Sequence, residues 1–297
     1  MQTDTRKKII LGGGISGLLY AFYNPDCLLI SDKIGGQSSS RFQLGPRILH
    51  ADENTTRLLE DLNRYIGIKK IKVGYFYNDK INDENTEENK KAYFEKTRGE
   101  SSQPYSSVMS SNKNEYDSYD IELSEIIENL ERKIHNEIIL GKVTKIDLEN
   151  NKLIIDEKEI EYSKLISTIP INVFLFLAGK TDEAKQYVSY PTTFILSDNL
   201  DNAPFKDFGE YDYVYISDEK YPFHRITKTK DGFVYEYKGD MSSTSLGQKD
   251  REVLKVGQLV ENDKKVEFDN VNFLGRYATW KHNILINDLL KEIYTKK

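Results

Sequence analysis

An α/β fold interrupted by a strand-rich insertion is what this 297-residue sequence predicts. Three observations carry that reading. KKIILGGGISGLLYAF, residues 7–22, joins a short apolar strand to a helical run through glycines. CLLIS, residues 27–31, follows after a brief turn as a second apolar strand. The end of the chain, VNFLGRYATWKHNILINDLLKEIY, is again strand, loop and amphipathic helix. The two ends therefore belong to one α/β unit, and the strand-patterned middle forms a second lobe.

The elements follow in order. Lys8–Leu11 is a buried strand and Ile15–Tyr23 a helix, closed by a turn at Asn24–Asp26 in which Pro25 stops helical growth. Cys27–Ser31 is the next strand, and GGQSSS at 35–40 is a loop. Asn54–Ile66 has helical spacing, with Leu58, Leu59, Leu62 and Ile66 on one face. Residues 78–91 (NDKINDENTEENKK) offer little to bury and read as an exposed loop or hairpin tip. Ile68–Tyr119 as a whole shows little helical pattern. Glu122–His135 is a helix with Leu123, Ile126, Ile127, Leu130 and Ile134 inward. Residues 138–169 hold several strands around the turn Glu149-Asn150-Asn151, and Tyr187–Tyr237 is β-rich with aromatic alternation in YDYVYISD. The expected division is discontinuous: 1–67 with 120–180 and 266–297 in one domain, 68–119 with 181–265 in the other.

Bulk properties narrow the function. Net charge is −6, with 42 basic and 48 acidic residues mixed along the chain, so no basic footprint for nucleic acid is present. Cys27 is the single cysteine, which excludes an internal disulfide and fits a reducing compartment. The chain starts without a signal-type apolar core, and no apolar run reaches the ~18 residues a membrane span needs. A cytoplasmic protein without membrane partner is expected. The 20 tyrosines suit half-buried strands or a polar pocket. No Cys/His cluster suggests a metal, and no G-x-S-x-G elbow is present.

Gly12-Gly13-Gly14-Ile15-Ser16-Gly17 fits G-x-G-x-x-G between a strand and a helix. Gly12 permits the tight turn, Gly14 lets a pyrophosphate approach the backbone, and Gly17 lets helix pack on strand. The amides of Ile15 and Ser16 then open the helix toward a phosphate. Asp32, at the end of the second strand, is placed to take ribose hydroxyls. A dinucleotide site is therefore expected.

The following loop specifies the cofactor by resemblance. Lys33-Ile34-Gly35-Gly36-Gln37-Ser38 resembles the IGG segment after the second strand in FAD enzymes of the amine oxidase and protoporphyrinogen oxidase type. There it passes close to the FAD pyrophosphate and ribityl chain, which implies contacts from Gly35, Gly36, Gln37 and Ser38; Gln37 stands where the family often has Arg, and Arg41 is either its replacement or a surface charge. Within that group, four later segments look most like UDP-galactopyranose mutase. Gly45-Pro46-Arg47-Ile48-Leu49-His50 resembles GPHIFH beside the flavin, and Tyr93–Gly99 is similar to Y-x-x-K-Q-W-G. Tyr221–Ile226 resembles PYTRI, whose Arg lies in the active site, and Phe273–His282 resembles GRLGTYRY beside FAD and the substrate diphosphate. Arg47 and Arg98 stand where the mutases have His and Trp. The resemblance implies a Rossmann-like FAD-binding domain with an inserted, strand-rich substrate lobe.

It also implies roles. Arg225, His50 and Arg47 would be catalytic: Arg225 for phosphate or carboxylate, Arg47 for added positive charge toward an anionic substrate or else for flavin phosphates, His50 for a hydrogen bond to flavin. For Arg225 the plainer reading is a surface pair with Asp218 or Glu219, and for His50 a packing or helix-cap role. His224 should face away from Arg225 on an extended segment. Gly275, Arg276 and His282 would border FAD, Lys281 would add charge, and Asn283 would cap the last helix toward the flavin. Val143 would meet adenine through its backbone, and Tyr162–Pro170 would return the chain to the FAD domain. Two functions stay open: a mutase-like enzyme using reduced FAD on a nucleotide sugar or similar anionic molecule, with NAD(P)H or another reductant; or an oxidoreductase passing a hydride from a small substrate to FAD. A FAD-binding scaffold is a third reading.

Overall fold

The computed structural model describes residues 7–38, 42–98, 114–241, 250–260, 262 and 264–295. The chain opens with β1 (Lys7–Gly13), α1 (Ile15–Tyr23), β2 (Leu28–Ile34), a 3-10 turn at Gly36–Ser38 and α2 (Glu53–Asp61). β3 (Ile68–Tyr77), β4 (Lys80–Asn82), α3 (Glu87–Arg98) and β5 (Glu115–Tyr119) come next. α4 (Leu123–Lys133), β6 (Ile138–Leu140), β7 (Val143–Asp147), β8 (Lys152–Ile155), β9 (Lys158–Ser167), α5 (Ile171–Leu177) and α6 (Thr181–Ala184) follow. β10 (Ser189–Ser197), β11 (Tyr213–Ile216), β12 (Phe223–Thr229), β13 (Gly232–Lys238) and β14 (Arg251–Leu259) then lead to β15 (Val271–Phe273), α7 (Arg276–Thr279) and α8 (Ile286–Thr295).

Among the described residues the strands form two sheets, of seven and eight strands. The first runs β6-β2-β1-β9-β8-β7, with β15 beside β9. β1 is parallel to β2 on one side and to β9 on the other. Successive connections thus leave β1 in opposite directions, and the ends of β1, β2 and β9 border a crevice, the place where open α/β sheets bind ligands. The second sheet runs β14-β10-β13-β12-β11-β3-β4, with β5 on β3.

β1 is apolar on both faces because both are covered. Ile10 packs with Leu18, Leu29, Leu58, Leu130, Ile166 and Leu290 under the helices. Its neighbours Ile9 and Leu11 point the other way, onto Leu28, Leu153, Leu165 and Phe174. This period-2 split pins the register, since a one-residue slip would exchange the faces.

Three expectations need correction. The helix expected over Asn54–Ile66 begins at Glu53, capped by Asp52, whose side chain accepts from the Thr55 amide at 2.9 Å. It ends at Asp61, because Asn63 turns left-handed at φ 54°. Residues 78–91 begin as the expected hairpin tip, with Asn78 and Asp79 turning between β3 and β4, but they do not stay a loop, because Glu87 opens α3. The pattern of α3 escapes hydrophobic periodicity because its buried face is polar, with Asn89, Lys90 and Thr97 inward. The loop expected before the last helix contains a short helix of its own, α7.

Candidate functional site

A cavity of about 880 Å³ runs from the glycine loop to the face of the second sheet. At the first end, Gly12 adopts φ +112°, and a Cβ there would come 2.5 Å from Thr168 Oγ1. That hydroxyl donates to the Leu11 carbonyl at 3.0 Å, tying β9 to the end of β1. Gly17 packs α1 onto the strand, since a Cβ would sit 1.9 Å from the Gly12 carbonyl oxygen. Gly14 is the opposite case: a Cβ there meets nothing, because it would project into open space at the cavity wall. No side chain caps α1, so the opening amides, with Ile15 and Ser16 on the cavity wall, are left to an anionic ligand.

Ser31 holds the two glycine loops together. Its hydroxyl accepts from the Gly13 amide at 2.8 Å and donates to the Lys33 carbonyl at 2.7 Å. The Gly35 amide donates to the Gly13 carbonyl at 2.8 Å. Gly36, at φ +55°, lies so close that its Cβ would be 3.0 Å from Gly14 Cα. Asp32, Gly35, Gly36 and Val143 all line this end.

The C-terminal segment closes over the same loop. Gly275 has φ +89°, and a Cβ would be 2.3 Å from Ser16 Oγ. Arg276 and His282 line the cavity, and Arg276 Nε donates to the Ile284 carbonyl at 3.3 Å. Asn283 and Lys281 do not line it; both are exposed. Nor does Asn283 cap α8, which starts at Ile286 with the Leu285 amide bonded to Asp288 Oδ2 at 3.0 Å. Gln37 lines the cavity, but its amide nitrogen donates to the Val256 carbonyl at 3.1 Å and its oxygen accepts from Tyr277 at 2.8 Å. It joins segments rather than presenting a free amide. Arg41 and the Ser38 side chain lie outside the described residues.

At the other end Arg225 lines the cavity and His224 does not, as expected, but the two side chains do not part company. The register of β12 against β13 shifts between Phe223 and Arg225, so His224 is the extra residue of a bulge opposite Glu236. Both side chains reach the same carboxylate. Arg225 Nε donates to Glu236 Oε2 at 2.8 Å, with a second bond from its terminal nitrogen, and His224 Nε2 lies 3.1 Å from Oε1. Arg225 is thus paired with neither Asp218 nor Glu219, and it lines the cavity together with Glu236. Burial opposes the Glu236 charge, but Arg225 and His224 outweigh it and hold the carboxyl at about 2. Burial likewise opposes the Arg225 charge, and Glu236 with Tyr215 raises its pKa nonetheless. Burial lowers the pKa of His224 against the pull of Glu236.

His50 lines the cavity with its ring edge-on to Tyr116 at 5.5 Å. Burial lowers its pKa, with Asp52 opposing. Arg47 also lines the cavity. Lys96, from the segment likened to Y-x-x-K-Q-W-G, is not part of the wall. Its ammonium donates to the carbonyls of Ile216 at 2.9 Å and Asp218 at 2.7 Å, and burial holds it at about 8.

Sequence reasoning missed Ser31, Thr168, Glu236, Tyr213 and Tyr215, all of them on the cavity wall. A signal existed for Glu236. In VYEYK it is a lone acid whose adjacent residues Tyr235 and Tyr237 face a hydrophobic cluster, which sends it to the opposite face.

No family model and no curated protein matches the chain. Solved structures do. An oxidoreductase from Methanosarcina mazei is 11% identical with TM-score 0.68, the match covering 98% of this chain and 99% of that one. A reduced UDP-galactopyranose mutase is 12% identical with TM-score 0.67, covering 97% and 92%. A CLA-producing fatty acid isomerase from P. acnes is 9% identical with TM-score 0.67, covering 100% and 99%. At these identities the likeness is one of fold, a Rossmann-like α/β unit with an inserted strand-rich lobe.

Proposed function

We propose that the chain is an FAD-dependent enzyme that removes a hydride from a small anionic molecule. The observation that carries this is the continuity of the cavity from the Gly12–Gly14 loop to Tyr213, Tyr215 and Arg225. One end has what a dinucleotide needs: an uncapped helix start, a glycine open to the cavity, and Asp32 at the end of β2. The other end has aromatic walls and arginines. FAD, when bound, supplies the two-electron acceptor.

The residues divide the work. Gly14, Ile15 and Ser16 bind pyrophosphate through backbone amides, Asp32 takes the ribose, and Val143 takes adenine. Ser31 and Thr168 keep the loop in shape. Arg276 and His282 flank the cofactor from the C-terminal segment. We read the lobes as 1–67 with 120–180 and 266–297 for FAD, and 68–119 with 181–265 for the substrate.

Arg225 favours hydride transfer over a mutase. The mutase resemblance gives this arginine to a phosphate or carboxylate of the substrate, but Glu236 already accepts two bonds from it. A mutase-like reading on a nucleotide sugar, with NAD(P)H as reductant, draws support from Arg47, Arg225 and Arg276 lining one cavity.

The test is spectroscopic. Purified protein is expected to carry FAD, and a panel of small acids is expected to contain one that bleaches the flavin without oxygen. UDP binding only to dithionite-reduced protein, with no acid causing bleaching, favours the mutase instead. Protein that takes up no FAD overturns both.

A further inference from the structure

We infer that the substrate end of the cavity is built for a small monocarboxylate with an apolar body, its acid held by Arg47. The inference deepens the proposed function and rests on it only for assigning the glycine-loop end to the dinucleotide.

The first observation is the state of the cations. Arg225 is committed to Glu236, and Lys90 to Glu87. Arg276 has its Nε on the Ile284 carbonyl. Arg47 lines the cavity half-buried and has no hydrogen-bond or ion-pair partner among the described residues. A guanidinium drawn out of water without a counter-ion is unfavourable. Burial, and after it the nearby Arg276 and Arg225, push its pKa down and together outweigh the opposing pull of Tyr277 and Glu236. A single anion there relieves all three effects, and a carboxylate matches the guanidinium fork.

The second observation is how Arg47 is held. Gly45, two residues earlier, has φ +65°, and a Cβ would lie 3.2 Å from both Arg225 and Glu236. The loop bearing Arg47 therefore rests on the Arg225–Glu236 pair. Glu236 neutralises Arg225 beneath it, which leaves Arg47 as the anion anchor instead of one member of a polyphosphate cluster.

The third observation is the wall. Ile48, Phe94, Phe194 and Leu254 line the cavity together with Tyr213 and Tyr215. These groups remove apolar surface from water and offer little to the hydroxyls of a sugar or nucleoside. The whole cavity, about 880 Å³, lies within the ~300–1,000 Å³ typical of one bound ligand. With a dinucleotide in it, room remains only for a small body.

Calorimetric titration of the purified full chain with decanoate, decanol and UDP tests this, with flavin content read from the absorbance of each sample. Decanoate is expected to bind at least roughly tenfold more tightly than decanol. Arg47→Met should weaken decanoate by a similar factor and leave decanol and FAD content unchanged. Arg47→Gln gives the same reading should Arg47→Met fail to fold. Equal affinity for decanoate and decanol, UDP binding more tightly than decanoate, or unchanged decanoate binding in the variants each overturns the inference. Absence of flavin overturns the flavoenzyme reading alone, because the decanoate–decanol comparison still decides the acid.

Discussion

Glu236 is buried with Arg225 and His224 on its two oxygens, and that arrangement makes stability depend on acid. The Glu236 carboxyl sits at about 2 in the fold, below the ~4.3 of a free glutamate, so its contribution is complete above ~4.3 and is lost as pH falls toward 2. His224 also has a lowered pKa, so its contribution is present above ~6.5 and fades as pH drops below that value. Both act in one direction: acid weakens the fold, first through His224 and then more steeply through Glu236. Glu236→Gln leaves Arg225 without its counter-charge and should lower the unfolding free energy by roughly 3 kcal/mol at neutral pH. In urea titrations the gap between variant and parent should close as pH falls below ~4. A gap below roughly 1 kcal/mol at neutral pH would mean the pair behaves like a solvated one. Arg225 itself was legible through its resemblance to PYTRI, but its partner was not. The partner depends on a bulge, and a bulge is a property of two paired strands, not of one.

Among the elements, the βαβ start carries its own explanation, and two glycines separate fold from ligand. Gly17→Ala drives a methyl into the Gly12 carbonyl, so α1 must lift from β1. A loss of about 2 kcal/mol or more is expected, read from the urea midpoint. Gly14→Ala meets nothing in the fold, and Gly14 has φ −75°, which alanine accepts. That variant should fold with unchanged stability while binding less FAD, because its methyl enters the space at the helix start. Loss of stability without loss of FAD in Gly14→Ala would move the cofactor elsewhere. The helix α1 was readable to the residue, since glycine loop and Pro25 bound it. α3 was not. Its inward Asn89, Lys90 and Thr97 carry no apolar period, and its burial comes from the β-sheet it covers.

On the scale of the whole molecule, residues far apart in the chain close one cavity. Gln37 meets Tyr277, 240 positions on, and Gly275 meets Ser16. A ligand touching both segments binds the folded chain and not the unfolded one. FAD at 100-fold above its Kd should therefore add ~2.7 kcal/mol of stability and raise Tm by several degrees. NAD at the same concentration should do less, and equal stabilisation by NAD would count against FAD. No helix among the described residues is long and apolar enough to cross a membrane. By itself the sequence determined the α/β class, the glycine loop with Asp32 beside it, and most strands. Those features depend on backbone torsions and apolar alternation within a few residues, which local sequence records directly. Only the tertiary structure decided that Glu236 takes Arg225, that Gln37 joins Tyr277, and that Arg47 has no partner among the described residues. Those outcomes depend on register and on loops meeting across more than two hundred residues, and no local pattern encodes them.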